Sequence, residues 1–240
     1  MSKNIAVIFA GGTGIRMNSV SRPKQFIEFN GKPIIIHTLE IFENHPQIDS
    51  IIVVCLESWI DFLNQQLEYF HIKKVASVVP GGPTGQESIY NGLVHTHELF
   101  GDDVVVLIHD GVRPLITAQT ITDNIETVAK YGNCITCIPA VEPFVVQHAD
   151  GSLDIPPRKD SLITRAPQSF ILRDILTAHK KAIAENKMDF VDSCMMMNYY
   201  GHKLHTIIGP FENIKITTPT DFFLFRAFVS VRENQQLFGF

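Results

Sequence analysis

The chain has 240 residues, 45% of them hydrophobic and 19% charged, with a formal net charge of −5. That length and apolar content suit one large domain, 1–240, with a sizeable core, and the acidic balance without a long basic run argues against nucleic acid as a partner, because phosphate-backbone binding needs a basic face. There is no apolar run of about 18 residues to span a membrane, and Met1-Ser2-Lys3-Asn4 leads directly into the first apolar run without a secretory layout, so a cytoplasmic protein is expected.

The first element is a buried strand over 4–10, carried by Ile5-Ala6-Val7-Ile8-Phe9. It runs into Ala10-Gly11-Gly12-Thr13-Gly14-Ile15-Arg16-Met17, closed by Pro23-Lys24-Gln25. Small residues let the backbone approach a ligand and present its N–H groups, and Arg16 and Lys24 add two cations. Together these describe a seat for a polyphosphate, where fixed cations meet the charge built during attack on a nucleotide α-phosphate; the alternative is that Arg16 and Lys24 are solvated loop charges. The spacing excludes two alternatives. Gly12-Thr13-Gly14 lacks the third glycine of the dinucleotide fingerprint, and no Gly-Lys-Ser/Thr ends the loop as in a P-loop.

A helix over 33–44, a strand over 50–56, a helix over 57–70 and a strand over 75–79 follow. The turn Gly81-Gly82-Pro83-Thr84-Gly85-Gln86-Glu87-Ser88 then opens a helix over 86–99. Its Gly81 and Gly82 backbone and the Ser88 hydroxyl can read a base edge; alternatively, Ser88 caps the helix. The next strand, 103–109, ends in His109-Asp110-Gly111-Val112-Arg113-Pro114. A carboxylate at the carboxyl end of a central strand is placed to hold a divalent cation on nucleotide phosphates, and Arg113 to clamp a second phosphate. The alternative is a simple Asp-Gly turn with an Asp–Arg pair.

A helix over 117–131 and a strand over 133–139 complete the regular part. Cys134 and Cys137 lie in that strand, where positions i and i+3 face opposite sides, so they read as core cysteines. Four cysteines in a chain this long do not suggest a disulfide framework. The βα alternation predicts an α/β fold, a mostly parallel sheet with helices on both faces. Ligands of such sheets sit beyond the strands' carboxyl ends, which gathers the loops 11–24, 81–88 and 109–114.

The rhythm breaks at Val141. A proline-broken stretch with an Asp150-Gly151 turn between Phe144-Val145-Val146 and Ser152-Leu153-Asp154-Ile155 reads as a projecting β-arm over 141–163. Arg158 and Lys159 within it read, on their own, as solvated charges. A helix over 172–185, strands over 203–208 and 213–217, and a helix over 219–231 capped by Thr218 follow. Lys215 interrupts an apolar alternation and by itself reads as a surface-strand lysine. No zinc-type histidine cluster and no nucleophile elbow are present.

Taken together, AGGTGIRM, PKQF, GKPIIIHTLEIF, GG…ESIYNGL, HDGVRPLI, APQSF and NIKITTPTD resemble a family of cytidylyltransferases that join CTP to a polyol phosphate, over about residues 4–231. One branch takes 2-C-methyl-D-erythritol 4-phosphate and another D-ribitol 5-phosphate. The resemblance implies a Rossmann-like sheet, a homodimer with exchanged β-arms, and an Mg2+-dependent displacement that releases pyrophosphate. By that resemblance Arg16, Lys24 and Lys215 stabilise the pentavalent transition state. Ala10, Gly11, Gly12, Thr13, Gly14, Gly81, Gly82 and Ser88 hold the nucleotide. Asp110 and Arg113 face the polyol phosphate and the metal-bound phosphates, and Arg158 reaches the partner subunit's acceptor. The chain departs from the family's pattern at Gly85, where an arginine is frequent, and at Phe144 and Ala166, where threonines lie near the acceptor pocket. His109–Ile116 resembles the ribitol branch, which implies CDP-ribitol as product; the methylerythritol reaction is the alternative. A binding module without turnover would not need cations arranged for a transition state.

Overall fold

The computed structural model describes residues 2–12 and 22–238. In chain order the elements begin with β1 (Asn4–Ala10), a small β2–β3 ladder (Glu28–Phe29, Lys32–Pro33), α1 (Ile34–Glu43), β4 (Ser50–Cys55), α2 (Ile60–Tyr69), β5 (Val75–Pro80) and α3 (Gly85–Phe100). They continue with β6 (Val105–Asp110), α4 (Ala118–Tyr131), β7 (Asn133–Pro139), β8 (Val146–Gln147), β9 (Leu153–Asp154) and β10 (Leu162–Ile171). The chain closes with α5 (Leu172–Ala184), α6 (Ser193–Tyr199), β11 (Thr206–Ile208) and α7 (Pro219–Phe238).

Seven strands form one sheet in the order β11-β7-β10-β6-β1-β4-β5. β1 is parallel to β4 and β6, β4 to β5, and β11 to β7, while β10 runs antiparallel to both of its neighbours. The strands are apolar on both faces because helices cover both. Ala6 and Ile8 pack with α1, α2 and α4; Ile5 and Val7 pack with α3, α5 and α6. Cys134 joins the first layer and Cys137 the second, as the strand period requires. Burial pushes their thiols up to about 12 and about 11, so both are inert core groups.

Local sequence explains the helix starts. Thr84 accepts from the Glu87 N–H at 3.1 Å and Glu87 reaches back to the Thr84 N–H, a capping box for α3. Thr117 caps α4. At α7, Asp221 accepts from the Thr217 and Thr218 N–H groups at 2.9 and 2.8 Å, with Pro219 opening the helix.

Four parts of the chain differ from the sequence expectation. Residues 213–217 are not a strand: Asn213 is buried and donates its amide to the Ala166 carbonyl at 2.8 Å, while Arg113 donates to the Asn213 carbonyl. The segment's backbone is satisfied irregularly: Asn213 and Ile214 donate to the Pro210 and Glu212 carbonyls, Ile216 to the Val112 carbonyl and Thr217 to Asp221. β10 follows the arm directly, where no strand was expected, and α6 is a further element. The 203–208 strand shortens to Thr206–Ile208. The Asp150-Gly151 hairpin does form: Gly151 takes φ +85°, and His148 donates to the Ser152 carbonyl at 2.9 Å.

Candidate active site

Parallel pairing brings the carboxyl ends of β1, β4, β5 and β6 to one edge. Phe9 pairs with Asp110, Ala10 with Cys55 and Cys55 with Pro80. The loops that leave these ends line a cavity of about 290 Å3, walled by Ala10, Gly11, Gly12, Lys24, Gly82, Ser88, Asp110 and Lys215 among others. Thr13, Gly14 and Arg16, expected at the same site, lie outside the described residues.

Ser88 organises one wall of this cavity. It sits one turn inside α3, so Thr84 rather than Ser88 is the helix cap. Its hydroxyl accepts from the Gly82 N–H at 3.1 Å and donates to the Thr84 carbonyl at 2.9 Å. The glycines exist for close approach. A Cβ at Gly82 would stand 2.4 Å from the Glu87 Cβ, and one at Gly81 would stand 3.0 Å from the Ser88 hydroxyl.

Lys24 opens a one-turn 3-10 helix, Lys24–Phe26, and is nearly buried. Two neighbours hold it. Gln25 donates to the Ala10 carbonyl at 2.6 Å, tying the turn to the end of β1. Phe26 is fully buried and stacks on Trp59 with ring centroids 4.9 Å apart. The positioning role of Gln25 is absent from the sequence reading, although Gln25 stands in the motif that carried Lys24.

Asp110 is the electrostatic centre. Its carboxylate, 4% exposed, takes Arg113 Nε on one oxygen at 2.7 Å and Lys215 Nζ on the other at 2.5 Å. Burial alone would raise its pKa, but the charges and hydrogen bonds of Arg113 and Lys215 outweigh that, so it stays ionised and well below the usual carboxylate range. Behind it, His109 is wholly buried. Burial pushes it down to about 4, so it is a neutral ring whose Nε2–H donates to the Arg113 carbonyl. Ile216, buried, donates its N–H to the Val112 carbonyl at 3.0 Å and so carries Lys215 to the sheet edge.

A second cavity, of about 350 Å3, adjoins the first and shares Phe9, Gly85, Asp110 and Lys215 with it. Arg113, Thr164, Arg165, Ala166, Gln168 and Asp192 complete much of its wall. Thr164, Arg165 and Gln168 are additions to the sequence-derived set. They come from β10, whose antiparallel course carries its N-terminal half past the end of β6 to the site edge. Arg113 has Nε on Asp110 and Nη1 on the Asn213 carbonyl at 3.0 Å, so much of its fork is already engaged within the protein. Arg158, by contrast, lines neither cavity of its own chain; it is exposed on the arm and donates to the Val141 carbonyl at 3.3 Å. Asp110 is the one carboxylate among the described residues that line the first cavity. No group of three or more histidines, cysteines or carboxylates arranged for a metal occurs among the described residues.

Comparison with known proteins agrees with this architecture. The family model described as 2-C-methyl-D-erythritol 4-phosphate cytidylyltransferase (IspD) matches residues 4–231. A ribitol-5-phosphate cytidylyltransferase from Vibrio parahaemolyticus is 51% identical over 237 residues, 98% of this chain and 100% of the relative. A 2-C-methyl-D-erythritol 4-phosphate cytidylyltransferase from Clostridium botulinum is 38% identical over 225 residues, 93% of this chain and 96% of the relative. The crystal structure of 4-diphosphocytidyl-2C-methyl-D-erythritol synthase from Anaerococcus prevotii superposes with a TM-score of 0.82 at 25% identity, covering 95% of this chain and 96% of that one.

Proposed function

The chain belongs to the 2-C-methyl-D-erythritol 4-phosphate cytidylyltransferase (IspD) family, and from that membership and the two joined cavities we propose that it transfers the cytidylyl group of CTP to D-ribitol 5-phosphate, giving CDP-ribitol and diphosphate. It is a nucleotidyltransferase on a Rossmann-like fold. The observation that carries the reading is the Asp110–Lys215 pair at the meeting point of the two cavities. CTP occupies the glycine-walled cavity, with its base against the Gly81–Ser88 turn. The polyol phosphate occupies the second cavity.

The reaction needs no protein nucleophile. A phosphate oxygen of the acceptor attacks the α-phosphorus of CTP, the new P–O bond forms, and the bond to the bridging oxygen of the β-phosphate breaks. The acceptor phosphate arrives already ionised, so no general base is required. Lys24 and Lys215 line the first cavity and neutralise the charge that builds on the five-coordinate phosphorus; the family resemblance gives Arg16, which lies outside the described residues, the same role. Mg2+ would be held chiefly by the substrate phosphates, with Asp110, the carboxylate the first cavity offers, as its protein donor; both oxygens of Asp110 are already shared with Arg113 and Lys215, so one of them would have to serve side-chain cation and metal ion together. Held there, such an ion would supply charge withdrawal from the leaving diphosphate.

The assembly is a homodimer in this reading. Val141, Phe144, Val145, Leu153 and Ile155 on the arm are large apolar side chains exposed in the single chain, which a partner's surface would bury. The arm then carries Arg158 to the partner's acceptor. The described residues contain no helix long and apolar enough to cross a membrane, and the protein supplies its activated polyol for teichoic-acid or capsule-type polymers from the cytoplasm. The test is diphosphate release from CTP with ribitol 5-phosphate, other pentitol phosphates and 2-C-methyl-D-erythritol 4-phosphate. Ribitol 5-phosphate is the preferred acceptor; exclusive use of the methylerythritol phosphate would replace it with the isoprenoid reaction.

A further inference from the structure

We propose that Arg165 binds the phosphomonoester of the acceptor, as the chain's own grip on that group in the second cavity; the assignment rests on the reaction proposed above. The cations around this cavity are not equivalent. Lys215 is paired with Asp110, and Arg113 is divided between Asp110 and the Asn213 carbonyl. Arg165 has no ion-pair partner among the described residues, and its Nε is buried without a hydrogen bond. Arg113 and Arg165 share the wall of this cavity, and burial and then the charge of Arg113 lower the pKa of Arg165, so two like-charged guanidinium groups stand together with one of them uncompensated. An arginine remains charged under such conditions. An arrangement of this kind costs free energy and is relieved by a ligand that brings negative charge.

The cavity's other carboxylate does not supply that charge. Asp192 makes no ion pair with Arg165; it accepts from Thr164 Oγ1 at 3.2 Å, from Gln168 Nε2 at 2.9 Å and from the Met195 N–H at 2.8 Å, which ties β10 to the start of α6. The backbone explains why Arg165 is available. Thr164 pairs with Cys137 and Gln168 with Ile135, so the register of β10 on β7 shifts between them, and the residues in that interval leave the regular ladder. Arg165 stands at the start of this irregularity. A planar guanidinium fork matches two oxygens of a phosphate, which leaves a third oxygen to face the junction at Asp110 and Lys215, where attack takes place.

The experiment compares wild type, Arg165→Gln and Arg165→Lys in steady-state kinetics with CTP and ribitol 5-phosphate, with CTP binding measured separately by calorimetry. Arg165→Gln raises the KM for ribitol 5-phosphate by about 10- to 100-fold, the loss of a charge-assisted contact, while the Kd for CTP stays within about twofold of wild type. Arg165→Lys, which keeps the charge but not the fork, falls between the two. An unchanged KM for ribitol 5-phosphate in Arg165→Gln overturns the assignment. So does a parallel loss of CTP affinity, which marks a structural role. A wild-type protein that turns over no polyol phosphate overturns the underlying reaction, and this assignment with it.

Discussion

Replacing Asp110 by Asn keeps the side chain's shape and removes the charge that Arg113 and Lys215 share. The contacts at 2.7 and 2.5 Å are both charge-assisted. The Asn oxygen can accept from one cation, but its NH2 group then points a donor at the other. Arg113, 8% exposed, keeps only its bond to the Asn213 carbonyl as compensation. Breaking a buried ion pair from one side costs about 3–5 kcal/mol. Lys215 is partly exposed, so water compensates it in part and the lower end, about 3 kcal/mol, is expected. In urea, with m of about 2–3 kcal/mol per molar, the unfolding midpoint falls by about 1 M or more. The pH dependence has a definite sign. The folded-state pKa of Asp110 is depressed, so its contribution is fully present above the unfolded value of about 3.9 and is lost as pH falls toward the folded value. The gap between wild type and variant is therefore flat from neutral pH down to about pH 5 and narrows below about pH 4. An Asp110→Asn protein within about 0.5 kcal/mol of wild type at pH 7, the range of an ordinary surface substitution, or a gap that widens on acidification, would refute the electrostatic account.

Lys24→Ala and Lys215→Ala each lower turnover by about 10²- to 10³-fold while CTP affinity is largely kept, because the charge they meet grows mainly in the transition state; near-normal kcat at saturating substrates in either variant removes it from the catalytic set. Light scattering of the wild type at micromolar concentration gives the mass of a dimer, and deletion of the hairpin tip around Asp150-Gly151 weakens it; a fully active stable monomer would rule out an arm that completes the partner's site.

Much of this protein follows from local sequence. The apolar run of β1 followed by small residues dictates a strand and then a close-approach loop, and the alternation of short apolar runs with helical patterns dictates a sheet covered on both faces. The strand period by itself separates Cys134 from Cys137 and removes a redox pair from consideration. The position of Asp110 at a strand's carboxyl end already places it on the edge where the cavity lies. What local pattern does not encode is direction and partnership. Periodicity says which face a residue occupies, but not which way a strand runs or what it lies beside. The reversal of β10, decided by its pairing with both β6 and β7, is what delivers Arg165 and Gln168 to a site formed otherwise by parallel strands. Likewise Lys215, in sequence a plausible surface-strand residue, becomes Asp110's partner only because buried Asn213 and Ile216 anchor its segment against β10 and the loop after β6. These contacts join residues far apart in the chain, and their free energy comes from desolvated charges and buried side chains that exist only once the layers have packed.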